Sequence, residues 1–172
     1  MNRIGVVVGN PRAGSRTRAV GEVVAGKLAI AAGERADVRV IELADVGPDL
    51  LDWSSPVVDA LRTDVRNATA LVVATPTYKA SYTGLLKLFL DRFDAGELGG
   101  VPTVAVMTGG SPAHALAVDV HLTPVLIEIG ASCPARGLYV WGPDQDAPEG
   151  AVERWWAAGA GSALQRALRR TV

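Results

Sequence analysis

Short apolar runs alternate with longer amphipathic stretches along this chain. Five runs rich in Val, Ile and Leu, over 4–8, 38–43, 70–74, 103–107 and 137–141, read as β-strands. The first, third and fourth are almost wholly apolar, the pattern of strands covered on both faces and hence of parallel sheet. Between and after these runs the apolar spacing becomes helical. Helices are predicted over 15–32, with Val20, Val24 and Leu28 in register, over 54–67, with Val57, Val58, Leu61 and Val65, and over 81–93, with Leu85, Leu86, Phe89 and Phe93. Two more are predicted over 112–129, apolar almost all round, and over 148–169, with Trp155, Trp156, Leu164 and Leu168. Ser15, Ser54 and Ser81 are the predicted N-caps, and Gly33 and Gly130 the residues just past helix ends.

Two details refine this pattern. Pro124 has no N–H for the carbonyl of Val120, which predicts a kink or a π-bulge in the fourth helix. The apolar surfaces of 113–129 and 85–93 predict burial on two sides, by the sheet and by a second subunit. The irregular stretch 44–55 is longer than ordinary strand–helix connections and suits a lid or a subunit contact.

Five β-α alternations in 172 residues predict one α/β domain over 1–172. Five strands favour a flavodoxin-like three-layer sandwich, a parallel sheet of order 2-1-3-4-5 with helices on both faces, over a six-stranded dinucleotide fold. Ligands of such sheets sit beyond the C-terminal strand ends near the switch point. Here the loops after strands one, three and four read "GNPRAGSRT", "TPTYKAS" and "MTGGSPAH".

The first loop has the glycine spacing of a nucleotide-triphosphate loop at Gly9 and Gly14, but Ser15 and Arg16 stand where Lys and Ser/Thr are required. That disfavours an NTPase, and no G-x-G-x-x-G is present for a dinucleotide. Two readings remain. Ser15, Arg16 and Thr17 open a helix whose N–H groups suit one phosphate, with Arg12 or Arg16 neutralising it; or the loop is a solvated turn with a capping serine. In the second loop, Pro76 and Tyr78 offer surfaces for a planar ligand, or simple rim packing. In the third, Gly109 and Gly110 let backbone amides approach a polarised carbonyl or an anion. A monophosphate at one end and a flat polar ring at the other describe flavin mononucleotide (FMN), which ranks first among ligands.

Composition removes alternatives. A net charge of -1 implies no general affinity for polyanions, so nucleic acid is not an expected partner. The single Cys133 reads as a small buried thiol at a strand start, and His114 as a hydrogen-bonded packing residue. With only His114 and His121 besides, no metal centre, catalytic triad, protein acid/base or covalent nucleophile is expected. The apolar run at 4–8 is too short for a signal sequence and no run reaches membrane-spanning length, so a cytoplasmic protein without membrane contact is expected. The segment after Trp141 offers nothing distinctive.

The chain resembles the NADPH-dependent FMN reductase family, and especially the members that serve alkanesulfonate monooxygenases. The resemblance is carried by "GNPRAGSRT", where the family favours G-S-P-R-x-x-S-R, by "VVATPTYKASYTGLLKLFLD" and by "GGVPTVAVMTGGSPAHALAVDVHLTPVLIEIGA". It implies a homodimer or homotetramer that uses NADPH or NADH to reduce FMN, often for a partner flavin-dependent monooxygenase. It also implies a phosphate loop of Asn10, Arg12, Ser15 and Thr17, ring contacts from Pro76, Thr77, Tyr78 and Lys79, and pyrimidine-side contacts from Thr108, Gly109 and Gly110. Arg12 or Arg16 would meet the 2′-phosphate of NADPH, and the amides of Gly109 and Gly110 the charge that reduced flavin gains near N1 and O2. Two positions depart from the family: Asn10 replaces the usual Ser, and Val120 stands where alkanesulfonate-type relatives carry Tyr in a helix at the subunit interface. A flavin-retaining reductase of quinones, azo dyes or chromate, and a flavodoxin-like electron carrier, are the alternatives.

Overall fold

Residue parity along the strands builds the core. The computed structural model describes residues 2–33 and 36–171. The strands are β1 (Arg3–Val8), β2 (Asp37–Glu42), β3 (Ala70–Pro76), β4 (Thr103–Gly109) and β5 (Leu138–Trp141), all parallel in the order β2-β1-β3-β4-β5. The expected sheet and three-layer arrangement are therefore the observed ones. Ile4, Val6 and Val8 point to one face with Val72, Val106 and Val140, while Val7, Leu71, Val73 and Met107 point to the other. Each face buries its own apolar layer, so the central strands can carry no polar alternation.

Helices close both layers. On one face lie α1 (Arg16–Ala31), α5 (Glu149–Trp155) and α6 (Gly161–Thr171), contributing Val20, Val24, Leu28, Val152 and Leu164. On the other lie α2 (Pro56–Arg66), α3 (Gly84–Leu90) and α4 (Thr123–Glu128), contributing Val58, Val65, Leu86, Phe89 and Leu126. Only β2, at the sheet edge, shows a run of exposed positions.

Several boundaries differ from the sequence expectation. Ser15 caps α1, accepting from the Arg18 N–H at 3.3 Å. Ser55, not Ser54, caps α2: Pro56 favours the first helical position, and Ser54 is drawn instead to the Asp52 carboxylate by its N–H and hydroxyl, at 2.9 and 2.7 Å. Thr83, not Ser81, caps α3, because Ser81 closes a turn with Tyr78. The helix expected over 112–129 breaks into a 3₁₀ turn (Pro112–His114), a π turn (Val118–Leu122) and α4. The π turn is the bulge expected beside Pro124; the Thr123 N–H reaches back to the Val118 carbonyl, and the Thr123 hydroxyl donates to it at 3.0 Å. The last helix is interrupted at Gly159, with φ 122°.

Segment 44–55 folds into two 3₁₀ turns flanking Gly47 (Leu43–Val46 and Pro48–Leu51) and is pinned by Arg92. The buried Arg92 guanidinium donates to the carbonyls of Asp52 and Trp53 at 2.8 and 2.9 Å and lies 5.0 Å from the Trp53 ring.

Gly33 and Gly130 both take positive φ just past helix ends, as the pattern implied. At Gly130 there is also no room: its φ is 95°, and an added Cβ would stand 2.5 Å from the Gly96 carbonyl carbon. Gly130→Ala is expected to cost about 2–5 kcal/mol from strain and overpacking together. Gly26, exposed inside α1 with nothing within 4 Å of a new Cβ, is the control: Gly26→Ala should stabilise by about 0.5–1 kcal/mol. Urea denaturation of the two variants measures both.

Candidate functional site

The C-terminal ends of β1, β3 and β4 lie side by side, and their loops enclose a cleft of about 400 Å³. Asn10, Arg12, Ser15, Arg16, Thr17, Pro76, Tyr78 and Thr108 line it, together with Ala13, Gly14 and Gln145. Four expected residues border the cleft rather than line it. Thr77 donates its N–H to the Thr108 carbonyl at 2.6 Å. Lys79 stands exposed at the tip of a turn, Gly109 ends β4, and Gly110 is exposed beyond it.

The first loop is held from within. Asn10 accepts from the Arg12 N–H at 2.9 Å and donates to the Thr17 hydroxyl at 3.1 Å. The Thr17 hydroxyl lies 2.8 Å from that of Thr108, a buried bond between the first and third loops. Asn10 and Thr17 thus use their side chains mainly to build the loop. From the second loop, the Thr83 hydroxyl donates to the Gly9 carbonyl at 2.6 Å while accepting from the Leu86 N–H, and Thr75 accepts from the Thr83 N–H.

What the first loop leaves free is a set of donors. Among the described residues, the N–H groups of Ala13, Ser15, Arg16 and Thr17 meet no protein acceptor. They surround the N-terminus of a 16-residue helix, where the helix dipole adds positive potential. The three arginines are not equivalent. Arg18 is committed to Glu22 and Glu42, whose hydrogen bonds, Glu22 first, raise its pKa above the ordinary value. Arg16 faces Asp146 across an exposed 3.4 Å contact. Arg12 has no carboxylate partner among the described residues.

In the second loop Tyr78 and Ser81 exchange backbone hydrogen bonds at 2.8 and 3.1 Å around Lys79 and Ala80, whose φ values are 51° and 63°. This is a type I′ turn built without glycine, at a cost of roughly 1–2 kcal/mol per residue. It leaves the Tyr78 ring half-exposed at the cleft rim. Behind it, the Thr77 hydroxyl oxygen is buried with no hydrogen-bond partner.

The sequence reading missed Gln145. It lies in the 3₁₀ turn Gly142–Gln145 after β5, a segment with no motif, and donates to the Gly109 carbonyl at 2.9 Å. Glu42 was also missed; its carboxylate lies beneath the first loop, accepting from the Gly14 N–H at 2.9 Å. His114 is exposed rather than packed, because the chain leaves the sheet in a 3₁₀ turn that begins at Pro112. Cys133 is half-buried in the connection before β5 rather than at its start. Burial pushes its thiol up to about 11. Among the described residues no group of three His, Cys, Asp or Glu could hold a metal ion, and no helix is long and apolar enough to cross a membrane.

The sequence pattern of the NADPH-dependent FMN reductase family matches residues 2–146. The chain belongs to this family. Among FMN reductases, the NADH-dependent FMN reductase SfnF of Pseudomonas putida is 36% identical over 142 residues, covering 80% of this chain and 76% of its own length. The FMN reductase (NADPH) of Escherichia coli K12 is 36% identical over 140 residues, covering 80% and 72%. An oxidoreductase from Corynebacterium diphtheriae has the same fold, with a TM-score of 0.83, 29% identity, and coverage of 99% of this chain and 98% of the other.

Two outcomes test the site as built. Thr17→Val leaves the Asn10 amide and the Thr108 hydroxyl without their partner and should cost about 1–3 kcal/mol in denaturant unfolding, less when combined with Thr108→Val. Cys133, protonated at neutral pH, should react with iodoacetamide far more slowly than free cysteine at pH 7 and accelerate as pH rises towards 11, as mass spectrometry of the intact protein would record.

Proposed function

We infer that the chain is an NAD(P)H-dependent FMN reductase. The observation that carries this is the pairing, in one cleft, of free N–H donors at the α1 N-terminus with the Pro76 and Tyr78 rim. One end suits a terminal phosphate and the other a flat ring with a polar edge. When bound, the flavin supplies the hydride acceptor for NAD(P)H, so the protein's task is position and electrostatics.

The residues divide that task. The N–H groups of Ser15, Arg16 and Thr17 would hold the phosphate, the Ser15 hydroxyl would donate to it, and Arg12 would supply charge. Pro76 and Tyr78, which line the cleft, would hold the ring, with Thr77, Lys79 and the Gly109–Gly110 backbone at the cleft's border. Arg12 is also the better candidate for the 2′-phosphate of NADPH, since Arg16 already faces Asp146. The relatives divide between NADH and NADPH.

The same reading includes assembly. Leu116 just before the π turn, Val120 within it and Ile127 on α4 lie exposed, with Leu88 on α3. We propose that a second copy covers this face, and that reduced FMN passes to a partner monooxygenase in a cytoplasmic setting.

Purified protein should oxidise NADPH or NADH in proportion to added FMN. FMN should bind at least tenfold more tightly than riboflavin, which lacks the phosphate. Arg12→Ala should weaken FMN about five- to tenfold with little effect on riboflavin, as expected for one charge-assisted hydrogen bond at an exposed site. Fluorescence titration and steady-state kinetics supply both measurements. Turnover of a quinone without added FMN would show a flavin-retaining reductase instead, and no NAD(P)H oxidation an electron carrier.

A further inference from the structure

We propose that Gln145 is a positioning residue that sets the reduction potential of the bound flavin through the Gly109–Gly110 peptide. This rests on the FMN reading above. The Gln145 side-chain nitrogen donates to the Gly109 carbonyl at 2.9 Å and lies 3.4 Å from the Gly142 carbonyl. Both neighbours are acceptors, so the amide must present its nitrogen to them.

Strand geometry fixes what this bond does. Along β4 successive carbonyls face opposite neighbours. The Thr108 carbonyl faces β3, where it accepts from Thr77, and the Gly109 carbonyl faces the β5 side, where Gln145 waits. The Gly109 carbonyl and the Gly110 N–H belong to one trans peptide and point in opposite directions. Holding the carbonyl on the β5 side therefore turns the Gly110 N–H towards the β3 side, the side on which Pro76 and Tyr78 line the cleft.

A Gly-Gly step is the softest backbone available and would not hold this orientation alone. A second tie flanks it: the Tyr139 hydroxyl donates to the Ser111 carbonyl at 2.8 Å and occupies the space a Cβ on Gly109 would need. A carbonyl that accepts a hydrogen bond also polarises its own peptide, which makes the attached N–H a stronger donor. Reduced flavin carries more negative charge at its pyrimidine edge than oxidised flavin. A fixed donor that meets this edge would favour the reduced form, as preorganised amides favour any developing oxyanion.

The test uses Gln145→Met, which keeps the shape and removes the donor, and Gln145→Glu, whose carboxylate repels the Gly109 carbonyl. The measurements are the midpoint potential of FMN bound to the protein and its dissociation constant in the oxidised state. In the Met variant the preference for reduced over oxidised FMN should fall up to tenfold, lowering the potential by up to about 30 mV. The Glu variant should shift further in the same direction. Unchanged potentials in both variants, including the case where oxidised and reduced FMN are weakened equally, overturn the proposal while leaving the FMN reading intact. Failure of the unaltered protein to bind FMN overturns both.

Discussion

A single 2.8 Å bond between the hydroxyls of Thr17 and Thr108 joins the first loop to the third, and the cleft depends on it. The two residues are 91 positions apart and both are buried. Around them the buried side chains bond in sequence: Asn10 serves Thr17, Thr83 serves Gly9, and Thr75 serves Thr83, while the Thr77 hydroxyl alone of this group is left without a partner. The net gain from each bond is modest, about 1 kcal/mol, but leaving one partner unsatisfied costs more. The loops therefore hold one relative arrangement. The donors that remain, on the cleft side of the first loop, are free because the network has consumed the side chains behind them.

This accounts for what the sequence disclosed and what it did not. The sheet was legible because burial on both faces forces a continuous apolar run, and β1, β3 and β4 have no other explanation. The loops were legible as a site because the strand order brings three Gly- and hydroxyl-rich turns to one edge. The individual roles were not. Asn10 and Thr17 carry the donor chemistry that a phosphate requires, and only tertiary contact shows that Asn10 donates to Thr17 and that the Thr17 hydroxyl is engaged with Thr108. The caps of α2 and α3 slipped by one and two residues because Ser54–Ser55 and Ser81–Thr83 each offer several hydroxyls, and the choice falls to Pro56 and to the Tyr78–Ser81 turn. Gln145 had no local signal. Its importance comes from the length of the turn after β5, which sets its amide opposite a carbonyl 36 residues earlier.

Charge is managed by the same economy. Three arginines crowd the first loop of a chain whose net charge is -1. Glu42, nearly buried beneath the loop, neutralises Arg18 and at the same time accepts the Gly14 N–H. One carboxylate thus fixes the backbone and removes a cation that would otherwise repel Arg12 and Arg16. With it, the loop keeps its shape and presents Arg12 and a ring of amides to whatever anion arrives.

The π turn shows how one backbone constraint propagates. Pro124 denies the Val120 carbonyl its helical donor, and the chain responds by passing the Thr123 N–H and hydroxyl to Val118. The extra residue in that turn rotates everything before it relative to α4. Val118 and Leu122 turn into the core, and Val120 turns outward, 57% exposed. An apolar residue is thus driven to the surface by the geometry of the helix that carries it, and Leu116 and Ile127 stand exposed to either side along the chain. Apolar side chains held at the surface in this way favour any cover that removes them from water. The turn leads back through Ser111 to the glycines of the third loop. The backbone that Tyr139 and Gln145 hold is thus continuous in sequence with the segment that Pro124 reshapes.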